Sequence, residues 1–430
     1  MAELNIILIG TCDTKLSELL YLRSQIIQHP NTSVTLIDVG RNAVQHSSIS
    51  ITQPDLVHKF GSALPSDTRE LSDLPRGEVI KYMSACATAC VDELFASGGY
   101  HGIISAGGSG GTALASAAMR NALPIGFPKL IISTVASGDT GPVVGETDIT
   151  MMYSVVDVAG LNSLLRQILS NAAGAIVGMV RTYWTEHQQN ESRTIQQHGQ
   201  QKKRVGITMF GVTTPCVDAI RSHLESNYDI EVYVFHATGH GGRAMERLIK
   251  SGHLDAVLDL TTTEICDCLM GGNMSAGPSR LEAAAKAGIP NIISLGATDM
   301  VNFGPKATVP ERYAGRLLFE HNPTVTLMRT SSSECASIGQ FIVDKLLKFA
   351  VKKENVQVWM PEGGVSMIST PGGAFADAEA DEYLFRAIQK GLQGRGVKVI
   401  SDQRAINDEG FANDIAEALI RVMGLKRNSE

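Results

Sequence analysis

The chain has 430 residues, with 37 basic side chains against 44 acidic ones, a formal charge of −7. That length exceeds one simple core and points to two domains at roughly 100–200 residues each. The 43% hydrophobic and 19% charged content excludes global disorder, and the mild acidity excludes dependence on nucleic acid, which needs clustered Lys and Arg.

Glycine is in excess, at 42 residues without a repeat period, which signals tight turns and close backbone approaches. The longest apolar run, at residues 173–180, falls short of the roughly 20 residues of a membrane helix, so no membrane association is expected. The N-terminus opens directly into Leu4-Asn-Ile-Ile-Leu-Ile-Gly10 with no basic leader and reads as a strand. Seven cysteines, an odd number, suggest reduced thiols and a cytoplasmic protein. Cys86-x3-Cys90 and Cys266-x-Cys268 lack zinc-site partners and read as small buried hydrophobes.

In chain order the pattern predicts a strand at 4–9, a helix at 14–29, a strand at 34–39, a long loop at 45–75 and a helix at 77–96. A strand at 102–106, a helix at 112–121 and a strand at 130–133 follow. Residues 186–203 are polar, Gln-rich and aperiodic, and are predicted to be an inter-domain linker. The alternation then resumes, with strands at 205–210, 231–235, 256–260, 289–295, 356–359 and 397–400. Helices are predicted at 216–224, 242–251, from 280, at 381–391 and at 408–423. This is an α/β chain: two Rossmann-like lobes with mostly parallel sheets, residues 1–185 and 204–430, and a ligand cleft between them. The lobes rhyme, because residues 127–139 and 289–299 both run from a proline-led apolar strand into a small-residue loop and an aspartate.

Ligands of open parallel sheets bind beyond the carboxyl ends of the strands. The turns there are rich in Gly, Ser and Thr, which offer amides and hydroxyls to an anion. Gly107-Gly-Ser-Gly-Gly-Thr112 is the sharpest of them. It lacks the Gly-Lys-Ser/Thr of a Walker A loop, and Gly108-x-Gly110-x-x-Ala113 matches a dinucleotide fingerprint only weakly. Gly10-Thr-Cys-Asp-Thr-Lys15 opens the first helix, where Thr11 or Asp13 can serve as a cap, and Lys15 is disfavoured by the dipole unless it faces an anion. Asp13 and Thr14 have the oxygen donors for Mg²⁺, and Arg76, beside Gly77, is a second phosphate clamp or a solvated surface residue. In the second lobe Thr213, Thr214, His236, Thr238, Gly241, Gly242, Arg243, Thr262 and Glu264 are expected to border a site for an anionic substrate. Asp139, Glu264 and Asp299 are the general-base candidates, and no nucleophile elbow stands out.

Six motifs in order carry a resemblance: Gly10-Thr-x-Asp-Thr-Lys15, Gly107-Gly-Ser-Gly-Gly-Thr112, Ile132-Ser-Thr-Val-Ala-Ser-Gly138, Thr208-Met-Phe-Gly-Val-Thr-Thr-Pro215, Phe235-His-Ala-Thr-Gly239 with Gly241-Gly-Arg-Ala-Met245, and Asp299-Met-Val-Asn-Phe-Gly-Pro305. Over essentially its whole length the chain resembles the ATP-binding family typified by the N-terminal domain of the tomato mosaic virus resistance protein. The resemblance implies two Rossmann-like lobes, a homodimer, and ATP with Mg²⁺ held by Asp13–Lys15, Arg76, Gly77 and residues 108–112. Two functions then stand open: an ATP-dependent transferase or ligase acting on a small anionic metabolite, and, as the resembling plant domain implies, a non-catalytic ATP-stabilised module that grips a protein partner. A dinucleotide oxidoreductase is a third reading.

Overall fold

The computed structural model describes residues 3–62, 71–196 and 202–428. The chain divides into two compact units, Met1–Gly199 and Gln200–Glu430. The first comprises β1 (Leu4–Gly10), α1 (Cys12–Ile27), β2 (Thr32–Asp38), α2 (Gln53–Phe60), α3 (Arg76–Ala96), β3 (Gly102–Gly107), α4 (Ser109–Ala122), β4 (Lys129–Ser133), the short α5 (Gly141–Val144), β5 (Thr150–Tyr153) and α6 (Ser163–Gln196). Its five strands are all parallel, in the order β2-β1-β3-β4-β5.

The continuous apolar runs have a structural cause. Successive side chains of a strand point to opposite faces, and both faces of this sheet are covered. Ile7, Ile9 and Ile103 enter a core with α3 and α4, while Ile6, Leu8 and Ile104 enter another with α1 and α6. By length and composition residues Ser163–Gln188 of α6 would suffice to cross a membrane, with a mean hydropathy of 1.2 in the relevant window. This corrects the expectation that no stretch is long enough, since apolar residues spaced around a helix need not form one run. Leu165, Leu169, Ala172, Ala173, Ile176 and Val180 of this helix are buried in the second of these cores.

Two sequence expectations change here. The predicted linker at 186–203 is helical as far as Gln196, and the next strand starts at Lys203; residues 197–201 lie outside the described ones. Glu and Gln are good helix formers, and Glu186, His187 and Gln188 are exposed, so this part of α6 needs no apolar period. Within the predicted loop at 45–75 lies α2, begun by Thr52, whose Oγ1 accepts the Asp55 N–H at 3.3 Å. Part of that loop, 63–70, is outside the described residues.

The second unit comprises β6 (Lys203–Met209), α7 (Thr214–Asn227), β7 (Ile230–His236), α8 (His240–Lys250), β8 (Ala256–Thr261), α9 (Thr263–Met270), α10 (Glu282–Ala287), β9 (Asn291–Gly296), β10 (Met300–Phe303), β11 (Leu318–Asn322), β12 (Val325–Arg329), α11 (Ser332–Phe349), β13 (Val356–Pro361), α12 (Ala378–Leu392), β14 (Lys398–Asp402) and α13 (Glu409–Met423). Its parallel sheet runs β7-β6-β8-β9-β13-β14, and β10-β12-β11 form a separate antiparallel sheet. The strand order second-first-third-fourth-fifth is common to both units, and the rhyming segments hold β4 and β9, the fourth strand of each. In each unit the order reverses beside the first strand. Those switch points lie between β1 and β3 and between β6 and β8, the places where such folds take ligands.

Candidate functional site

At the first switch point β1 and β3 lie side by side, with Ile9 in register with Ser105, so the turns that follow them are neighbours. Gly108 is the N-cap of α4 and supplies no side-chain bond. The first helical bond runs from the Thr112 N–H to the Gly108 carbonyl at 2.9 Å, and the amides of Ser109, Gly110 and Gly111 precede it as orphan donors. A Cβ on Gly110 would lie 3.4 Å from Arg76 Nη2, so the guanidinium at the start of α3 sits over the glycine turn. Arg76 is exposed, as is its neighbour Gly77. Among the described residues neither Arg76 nor Lys15 has a hydrogen-bond or ion-pair partner. Lys15 interrupts the first turn of α1 with φ −134° and ψ 19°.

Other predicted residues of this turn are committed to the protein. Thr112 is fully buried, and its hydroxyl bonds that of Ser133 at 2.6 Å, tying α4 to β4. Asp13 Oδ2 accepts the N–H groups of Arg41 at 3.0 Å and Asn42 at 3.1 Å. The Arg41 guanidinium in turn donates to the Leu74 carbonyl, just before α3. Asp13 therefore shapes the site by holding the loop after β2. Thr11 and Thr14 share a hydroxyl bond at 2.9 Å. Sequence reasoning passed over Asp38, which closes β2; its buried Oδ1 accepts from the Cys12 N–H at 3.0 Å and the Gly40 N–H at 2.9 Å. Burial pushes its carboxyl pKa up against those two N–H groups, and burial together with Asp38 pushes the Cys12 thiol up, leaving it a poor nucleophile. An acid ending an apolar strand was the available signal for Asp38.

In the second unit the glycine turn expected to receive an anion receives one from the protein itself. Glu264 is fully buried and accepts from the N–H groups of Gly239 at 2.7 Å and Gly242 at 3.0 Å, occupying the start of α8. A Cβ on Gly242 would collide with that carboxylate, and one on Gly241 with the His236 carbonyl. Glu264 also takes Arg280 Nε at 2.8 Å, while the same guanidinium holds both oxygens of Asp259 and lies 3.7 Å from Glu246. These carboxylates keep Arg280 charged despite complete burial. Thr213 and Thr262 are buried and bond Thr261 and the Ser294 carbonyl. The Thr214 hydroxyl donates to the Phe210 carbonyl, and Arg243 donates to the Ser275 carbonyl. His236 and Thr238 line an apolar cavity of ≈ 280 Å³. The sequence pattern marks Arg280 only as a helix start; the aspartate inside the apolar Ala256-Val-Leu-Asp-Leu260 is the signal for a buried cation facing it.

The general-base candidates are likewise accounted for. Asp139 is exposed and accepts the Gly141 N–H at 3.0 Å. Asp299 is buried, with Oδ2 accepting from Ser366 at 2.7 Å and Oδ1 unpartnered; burial raises its pKa to about 7. All seven cysteines are free thiols, with Cys268 half-buried and the others buried.

Two doubly wound units in one strand order, with an uncapped glycine turn at the first switch point, define a two-unit Rossmann-like α/β protein. It belongs to the uncharacterised protein family UPF0261, whose N-terminal domain matches residues 4–185 and whose C-terminal domain matches residues 202–423. A UPF0261 protein of Clostridium tetani is 44% identical over 418 residues, covering 97% of this chain and 98% of that one. The ToMV resistance protein Tm-1(GCR237) of Solanum lycopersicum is 40% identical over 440 residues; the match covers 98% of this chain and 56% of the tomato protein. A UDP-N-acetylglucosamine 2-epimerase from Rickettsia bellii matches over 68% of this chain and 79% of its own at 12% identity and a TM-score of 0.22, a likeness too slight to carry an argument.

Proposed function

We propose that the first unit binds ATP, with the phosphates against the glycine turn of α4 and the cations Arg76 and Lys15. The observation that carries this reading is the Arg76 guanidinium lying over Gly110 beside three orphan amides at the switch point. Backbone N–H groups at a helix start and an uncommitted guanidinium are a matched donor set for a polyphosphate, and the family resemblance points to ATP.

The residues also fit Mg²⁺ in a limited way. Among the described residues no three His, Cys, Asp or Glu side chains are grouped for a metal. Mg²⁺ of nucleotide sites usually takes one or two protein oxygens and substrate phosphates, and the Thr11 and Thr14 hydroxyls are the donors at hand. The ion would neutralise phosphate charge. The chain's own residues would orient and shield the phosphates, which suits transfer to a small metabolite, since such catalysis is mostly positioning. The free thiols suit a reducing compartment, the cytoplasm, and the resemblance brings a homodimer with it.

A second reading, an ATP-stabilised module for a protein partner, is favoured by the commitment of Glu264 and Asp139 to backbone amides and the burial of Asp299.

The first test is thermal stabilisation. ATP with Mg²⁺ raises the melting temperature, and Arg76→Ala weakens ATP binding by about 10–100-fold, the worth of a charge-assisted hydrogen bond, while leaving the unliganded melting temperature unchanged because Arg76 is exposed. No stabilisation by ATP refutes the reading. ATP turnover that rises with an added metabolite selects the enzyme; none under a broad metabolite screen selects the module.

A further inference from the structure

Val212, Ala297, Met300, Leu327 and Phe375 form a small apolar cluster apart from the cores of the second unit's parallel sheet. On its outer side, between the turn after β6 and the β11–β12 hairpin, lies the ≈ 280 Å³ cavity, whose surface is apolar. The Phe210 and His236 rings stack there, with centroids 5.6 Å apart and planes inclined by 28°. Met274 and Val325 complete the wall, and the hairpin residues His321 and Asn322 stand at its rim. Neither imidazole has a hydrogen-bond partner among the described residues.

We infer that this cavity binds a small molecule through a planar aromatic ring. Flat aromatic rings stack on the Phe210–His236 pair, and a thioether such as that of Met274 favours a ring edge. An apolar pocket with a few polar residues at its margin is the usual form of a small-molecule site, and His321 and Asn322 stand at that margin. A phosphate group is disfavoured here, because the cavity surface is apolar and Glu264 already holds the Gly239 and Gly242 amides. The site lies wholly within the second unit, and the inference stands independently of nucleotide binding.

Gly211 supplies the test. It lines the cavity, a Cβ there meets no heavy atom within 4 Å, and its φ lies outside the left-handed region, so Gly211→Val puts bulk at the cavity wall from a position that tolerates a β-carbon. The full chain, without nucleotide and with 13C-methyl methionine, is titrated with indole, with benzoate, and with cyclohexanecarboxylate as the non-aromatic control. At least one aromatic probe should bind saturably and move the Met274 methyl resonance while leaving that of the core residue Met360 in place. Cyclohexanecarboxylate and the Gly211→Val protein should each bind about tenfold more weakly. The inference is overturned if neither aromatic probe binds, if Met274 does not respond, if the control binds equally, or if a folded Gly211→Val protein binds as the parent does. Should that variant fail to fold, the Met274 response in the parent protein decides.

Discussion

Arg280 illustrates how differently two charged residues of one chain can weigh. It lies fully buried among Asp259, Glu264 and Glu246, so removing it leaves carboxylates inside the protein without their cation. Breaking a buried pair from one side costs about 3–5 kcal/mol. Arg280→Ala should therefore lose that much stability in urea unfolding. Arg386→Ala, which breaks an exposed pair with Glu382 one helical turn away, should lose under about 0.5 kcal/mol. Equal losses would show that the Arg280 cluster contributes no more than surface charge does. The same cluster occupies Glu264, whose Oε1 accepts from the start of α8 and whose Oε2 accepts from Arg280. Whether a carboxylate near a glycine turn is free or consumed depends on partners that sequence spacing does not reveal.

At the scale of elements, the loops after β9 and β13 meet through a buried acid. Asp299 follows β9 and accepts from Ser366, which follows β13, with Arg329 and Asp381 as charged neighbours. Burial raises its pKa from 3.8 to about 7. The folded chain thus holds a proton that the unfolded chain releases near pH 4. This contribution is fully present below the unfolded pKa, falls as pH rises through the window up to about 7, and is gone above it. Asp299→Asn keeps the acceptor for Ser366 and has no proton to lose. Its stability relative to the parent should therefore rise between pH 5 and pH 8 in urea titrations; an offset constant with pH would contradict the assignment. Asp267 on α9, raised to about 7 by burial against the N–H groups of Asn302 and Met274, contributes in the same direction. Elements without a clean period were the hardest to read. The β11–β12 hairpin gave no signal, because its residues divide between a small local cluster, with Phe319, Val325 and Leu327, and the core of the main sheet, with Leu318 and Met328.

At the scale of the molecule, each unit has its own apolar cores. Residues 202–430 expressed alone should therefore fold, with a single cooperative urea transition followed by circular dichroism; a gradual, non-cooperative loss of signal would count against autonomy. The amino-acid sequence alone determined the alternation of strands and helices, the two-unit plan, and the glycine turns at the strand ends. These are local signals: strands covered on both faces read as apolar runs, and a turn needs its glycine wherever the backbone passes close. Asp38, Arg280 and the hairpin cavity were decided only by the tertiary structure, as was the fact that Glu264, Thr112 and Asp13 serve the protein. Glu264 meets Arg280 across 16 residues and Asp13 meets Arg41 across 28. A hydrogen-bonding group has few lone pairs, and which neighbour takes them is set only when the chain closes on itself.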